Sequence, residues 1–157
     1  MHFTGTIWRP PYEAYSALVQ VTAGCTHHKC KFCTLYEDVP FKFRMSPISE
    51  VESDLKEISR YYHNTKRVFF TGANPFALSF EKLKTLAELV KKYYPNAQSI
   101  GCFSRITDIT PKTTEQLREL RRLGYNSLTI GVEAGDEEAL SFMRKGFGTK
   151  EIMQKAG

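Results

Sequence analysis

The sequence predicts an α/β chain built on a parallel sheet, in outline a (βα)4 half-barrel. Short runs of β-branched and aromatic residues alternate with longer segments whose apolar residues recur at helical spacing, and glycine, proline or a capping residue separates them. The alternation holds over four units, which calls for parallel strands joined by right-handed crossovers. Eight such units fill roughly 250 residues in a closed barrel, so four units in 157 residues make about half of one.

Residues 1–15 contain Pro10-Pro11, the lone Trp8 and little periodicity. They read as an irregular N-terminal arm packed across the first strand, with Trp8 as a packing anchor. Residues 16–157 form the core. Ala17–Val21 is the first predicted strand, and a cysteine-bearing loop follows it. Tyr36–Met45 is aromatic and basic, holds Pro40, and reads as loop against the rim of the sheet. A helix begins near Ser46-Pro47, with Ser49 and Glu52 as a capping box and Ile48, Val51, Leu55, Ile58 and Tyr62 on its inner face. Val68–Thr71 is the second predicted strand and Gly72–Pro75 a turn. Ser79 then opens a helix that buries Phe80, Leu83, Leu86, Ala87 and Val90 and ends before Pro95. Ser99–Ser104 is the third predicted strand. Thr110-Pro111 starts a helix with Leu117, Leu120 and Leu123 inside, stopped by Gly124 in a left-handed cap. Ser127–Glu133 is the fourth predicted strand, and a helix from near Asp136 turns Ala139, Leu140 and Met143 inward. Thr149 to Gly157 reads as the opening of a further helix, cut short. The chain is therefore expected to be a fragment, truncated after about four units, or to self-associate across the unpaired edge of the fourth strand.

Composition narrows the function classes. At 41% hydrophobic and 25% charged, the chain has an ordinary globular composition, and no apolar run reaches the length of a membrane span. The net charge of +5 is spread over helical faces, at Lys91-Lys92, Arg118 and Arg121-Arg122, which reads as solvated surface and not as a nucleic-acid footprint. Free thiols and no export signal point to a reducing, cytoplasmic compartment. His2, His27, His28 and His63 are not arranged with a nucleophile, which argues against hydrolysis.

The residues that carry chemistry are Cys25, Cys30 and Cys33, three thiols within nine residues. This is ligand spacing, since thiolates on one short loop converge on a site without long-range folding. Four ligands close a structural zinc site or fill a 4Fe–4S cluster; three leave a position open, where a substrate or cofactor is bound and activated. Cys102, the only other cysteine, lies within the third predicted strand and reads as a small core residue. Two alternatives stay open. One is a zinc-binding module completed by His27 or His28, although zinc sites usually draw on two separated ligand pairs. The other is an electron-transfer iron–sulfur module, which more naturally has four cysteine ligands.

Cys-x4-Cys-x2-Cys after a strand, with Phe32 just before the last cysteine, resembles the radical S-adenosylmethionine (radical SAM) superfamily. The commonest form there has three residues between the first two cysteines; here there are four, Thr26 to Lys29, a spacing that also occurs. Arg9–Ala14, Gln20–Cys25 and Thr34–Tyr36 resemble an iron–sulfur oxidoreductase branch of that superfamily. The resemblance implies that the four units are the N-terminal part of a partial TIM-type (βα)6 barrel. It implies that Cys25, Cys30 and Cys33 hold a 4Fe–4S cluster whose free iron is chelated by S-adenosylmethionine. Reductive cleavage would then give a 5′-deoxyadenosyl radical that acts on a substrate the sequence does not identify. An electron donor such as flavodoxin or ferredoxin is implied with it, and no membrane or nucleic-acid partner.

Parallel sheets carry their sites at the carboxyl ends of the strands, and the resemblance assigns residues there to the cofactor. Phe32 matches an aromatic position near adenine. Gly72, Ala73 and Asn74 stand in place of a Gly-Gly-Glu motif, where small residues let the backbone approach the cofactor's amino group. Asn74 replaces the carboxylate and is expected to accept a hydrogen bond through its side-chain oxygen. Arg105 follows the third predicted strand, and Glu133, ending the fourth, faces the ribose or the amino group. Lys145, or its neighbour Arg144, matches a cation for the carboxylate. Structural assignments stand beside these: Glu133 as a helix cap, Arg144 and Lys145 as balance for a helix dipole. The residues that select the substrate are expected in the absent half, so this chain alone is expected to lack full catalysis.

Overall fold

A computed structural model describes residues 1–156, with side chains through residue 155. The strands are β1 (Ala17–Gln20), β2 (Thr22–Gly24), β3 (Phe43–Met45), β4 (Arg67–Thr71), β5 (Ser99–Ser104) and β6 (Tyr125–Ile130). The helices are α1 (Ile48–Tyr61), α2 (Phe80–Tyr93), α3 (Thr114–Arg122), α4 (Glu137–Phe142) and α5 (Thr149–Ala156), with 3-10 turns at Pro11–Glu13, Pro75–Ala77 and Ile106–Asp108. β1, β4, β5 and β6 lie side by side in that order, every pair parallel, as the βα alternation predicts.

Successive strand residues point to opposite faces of the sheet. Ala17, Val19, Val68, Phe70, Ile100 and Cys102 turn to one face, where α1, α2 and α3 cover them with Val51, Leu55, Leu83, Leu86, Val90 and Leu120. The N-terminal arm crosses the other face. There Trp8 O accepts a hydrogen bond from Thr71 Oγ1 at 2.8 Å, and the Tyr12 and Thr129 hydroxyls pair at 2.6 Å. The buried Glu13 carboxylate holds Arg67 Nε at 2.8 Å. No helix among the described residues is long and apolar enough to cross a membrane.

The departures from the predicted elements have local causes. Pro47, not a side-chain cap, precedes α1, so Ser49 and Glu52 form no capping box, and Ile48 and Tyr62 end up largely exposed. α3 starts at Thr114 and not at Thr110-Pro111, because Thr113 and Gln116 make a reciprocal capping box there. Tyr36–Met45 is not all loop: Phe43–Met45 pairs antiparallel with Thr22–Gly24, forming a ribbon whose connection carries the cysteines. β6 ends at Ile130, so Glu133 lies on the loop beyond it, and Asp136, not Glu133, caps α4. Trp8 is no packing anchor. The residue is 55% exposed, and polar contacts hold the arm instead.

Candidate metal centre and cofactor site

Cys25, Cys30 and Cys33 are free and half-buried on the loop that joins β2 to β3. A tight turn, in which the Cys33 amide donates to the Cys30 carbonyl at 3.2 Å, brings the last two together. The loop's backbone is constrained: His28 and Tyr36 take positive φ angles of 50° and 66°, costly for residues with a Cβ. Tyr36 is buried beside the thiols. Burial first, and then the charges of Cys25 and Cys33, push its phenol up to about 12, so it stays neutral.

The loop is gripped from two sides. Behind it, the end of α4 supplies carbonyl acceptors: the Lys31 amide donates to Met143 O at 3.0 Å, and His27 Nε2 to Arg144 O at 2.6 Å. Burial lowers the His27 pKa, favouring the neutral ring in that bond. Gly146 makes the approach possible, since at its φ of +75° a Cβ would stand 2.5 Å from the His27 ring. On the other side, the wholly buried Asn74 reaches in from the loop after β4. Its Nδ2 donates to Thr26 Oγ1 at 2.7 Å and to Asp108 Oδ2 at 3.0 Å, and its Oδ1 accepts from the Thr26 amide at 3.3 Å. Asp108 accepts in turn from the Arg105 amide at 2.7 Å.

Lys145 forms the third feature of this rim. It is only 6% exposed, an unusual burial for an ammonium. Its Nζ lies 3.2 Å from Glu133 Oε1, and 5.5 Å and 5.4 Å from the ring centres of Phe32 and Phe147. Arg105 donates to the Lys145 carbonyl and stacks 5.7 Å from the Phe147 ring. Glu133 and Arg144 hold positive φ angles of 69° and 56°, so backbone strain gathers at this wall. A small second core of Ile106, Leu140 and Phe147 supports it. Burial raises the Cys30 thiol pKa, while Lys145 and Arg105 draw it back down.

Phe32, Arg105, Glu133 and Lys145 thus meet beside the cysteine loop, and Asn74 touches that loop directly. Asn74 Oδ1 already accepts from the Thr26 amide, and the Asn74 side chain is wholly buried. Gly72 likewise has a packing reason: with φ at +131°, a Cβ there would fall 2.1 Å from Thr22 Oγ1. Thr26, Asp108 and Phe147 went unnoticed in the sequence, and His27, weighed there as a zinc ligand, ties the loop to Arg144 O. Asp108 had a signal, an acid three residues after Arg105 that closes a capping box on its amide.

Three free thiols on one short loop are a donor set of the kind that holds an iron–sulfur cluster. Among the described residues, no three His, Cys, Asp or Glu side chains converge as ligands of a single ion do. Each thiolate of a cluster goes to its own iron, so ligands spaced along one loop suit it. Cys102 is fully buried in the core, its thiol pKa pushed far up by burial, on the sheet face that the helices cover.

The chain is similar in fold to a cobalamin-dependent S-adenosylmethionine radical enzyme, OxsB, solved with aqua-cobalamin and S-adenosylmethionine bound. The TM-score is 0.63 at 15% identity, over 87% of this chain and 21% of that one. The same enzyme with aqua-cobalamin bound gives a TM-score of 0.62 at 15% identity, over 85% of this chain and 20% of that one. The chain thus spans about a fifth of that enzyme's length. No curated protein matches it. The family model described as the radical SAM superfamily matches residues 19–156, from within β1 to the end of α5. A match of that extent takes in the cysteine loop and every strand of the parallel sheet, and the chain belongs to the radical SAM superfamily.

Proposed function

We propose that Cys25, Cys30 and Cys33 hold a 4Fe–4S cluster with one iron open to S-adenosylmethionine, and that the chain is the cofactor-binding part of an oxidoreductase acting on a substrate still to be found. The observation that carries this reading is the meeting of three free thiols with a buried, paired lysine on one rim of the sheet. When bound, the reduced cluster supplies the electron that splits the sulfonium into methionine and a 5′-deoxyadenosyl radical. S-adenosylmethionine in the similar enzyme OxsB supports the same cofactor here.

The chain's own residues bind and orient. Lys145 takes the cofactor's carboxylate in exchange for Glu133, and its desolvated ammonium makes that contact a strong one. Glu133, freed, turns to the amino group or the ribose hydroxyls. Phe32, half exposed, offers a ring face to adenine. Arg105 fixes the turn that carries Lys145 by holding its carbonyl. With the Asn74 side chain occupied, Gly72 and Ala73 offer the cofactor their backbone carbonyls. The arm, residues 1–15, and the core, residues 16–157, work as one unit in a reducing, cytoplasmic setting. A small one-electron donor of the flavodoxin or ferredoxin kind serves the cluster.

Anaerobic reconstitution with iron and sulfide tests this. The wild type is expected to gain broad visible absorption, lost in Cys25→Ala, Cys30→Ala and Cys33→Ala but kept in Cys102→Ala. Stoichiometric zinc with no visible absorption would overturn it, and loss of the cluster in Cys102→Ala would favour a four-cysteine electron carrier.

A further inference from the structure

Three loops meet at one buried polar node. Asn74, after β4, spends both amide hydrogens there, one on Thr26 Oγ1 at 2.7 Å and one on the Asp108 carboxylate at 3.0 Å. The Thr26 amide returns a bond to Asn74 Oδ1 at 3.3 Å. Asp108, after β5, is further anchored by the Arg105 amide at 2.7 Å. Lys112 Nζ closes the node by donating to Phe76 O at 2.6 Å and Asp108 O at 3.1 Å, which pins the turn that follows Asn74. An amide is required at position 74: a carboxylate in its place has no hydrogen to give and would face Asp108 with like charge.

From this geometry we propose that Thr26, Asn74 and Asp108 are positioning residues for the cluster, forming a strut that seats the cysteine loop against the sheet. The proposal rests on the cluster reading above. Thr26 follows Cys25 directly, so fixing both its amide and its hydroxyl fixes the peptide that carries the first thiol. Asn74 therefore ties the loop after β4 to the metal-binding loop, while the Gly72 and Ala73 carbonyls stay with the cofactor. The bond from His27 to Arg144 O at 2.6 Å makes a second tether, so the segment after Cys25 is fixed both by the loop after β4 and by the end of α4.

Thr26 is half-buried on a loop, so Thr26→Val removes the hydroxyl with nearly the same shape and leaves Asn74 its bond to Asp108. Two measurements are made on Thr26→Val, Thr26→Ser and wild type. In the metal-free proteins, hydrogen exchange at the amides of residues 25–30 is expected to be about tenfold faster in Thr26→Val, with the circular dichroism unchanged. In the reconstituted proteins, release of iron to a chelator is expected to be about tenfold faster in Thr26→Val and restored in Thr26→Ser. Wild-type rates in Thr26→Val, or a Thr26→Ser variant as fast as Thr26→Val, would overturn the strut. A wild type that takes up no iron would overturn the cluster reading, while the exchange experiment still decides whether the strut exists.

Discussion

Lys145 is the side chain whose energetics depend most on what binds beside it. Its ammonium is buried with one exposed carboxylate as partner, and a ligand carboxylate offers it a second charge in a site already dry. Lys145→Met is expected to weaken S-adenosylmethionine binding by about tenfold, as loss of a charge-assisted hydrogen bond does, with cluster content unchanged. Calorimetric titration of reconstituted protein measures it. Asp108 carries a second expectation, for pH. Burial holds its pKa above the ordinary 3.8, ahead of the opposing bonds from Arg105 and Asn74. Its contribution to stability is therefore complete below 3.8 and is lost as pH rises through the folded value. Asp108→Asn should flatten that decline, read from denaturant midpoints across the acid range. At this scale the sequence was legible where chemistry is local. The spacing of Cys25, Cys30 and Cys33 alone points to the family whose model the chain matches. The task of Asn74 does not, because it depends on Asp108, 34 residues away, and the tether of His27 reaches across 117 residues.

The elements are the level at which the sequence spoke most clearly. β4, β5, α2 and α5 lie close to where apolar period and capping residues put them, since each is long enough to show its pattern. The β2–β3 ribbon was hidden because its three-residue strands show no period and pair only across the cysteine loop. The early start given to α3 and the late end given to β6 have local causes: the Thr113–Gln116 capping box in one case, the strained loop of Glu133 in the other. The contact between β2 and the turn after β4 yields a sharp test. In Gly72→Ala the new methyl meets Thr22 Oγ1 at 2.1 Å in a backbone conformation that alanine resists. A loss of about 2 kcal/mol is expected, by urea denaturation of the metal-free protein.

At the scale of the whole molecule, the sheet leaves β1 and β6 each with one unpaired edge among the described residues. β6 is half-buried along most of its length, and such an edge is a template for pairing. Light scattering of this chain is expected to show association that grows with concentration. Ser127→Lys, which puts a charge on that edge, should reduce it without changing the circular dichroism. A monomer at all concentrations would remove the edge as an interface. The rim opposite these concerns is where the fold and the chemistry meet, because the parallel sheet brings the loops after β4, β5 and β6 up to the thiols that follow β2. The most direct measurement is the electron paramagnetic resonance spectrum of the reduced, reconstituted protein with and without S-adenosylmethionine. A cluster signal whose g values shift on adding the cofactor is the result expected of an iron left open by Cys25, Cys30 and Cys33; a signal unchanged by S-adenosylmethionine would contradict it.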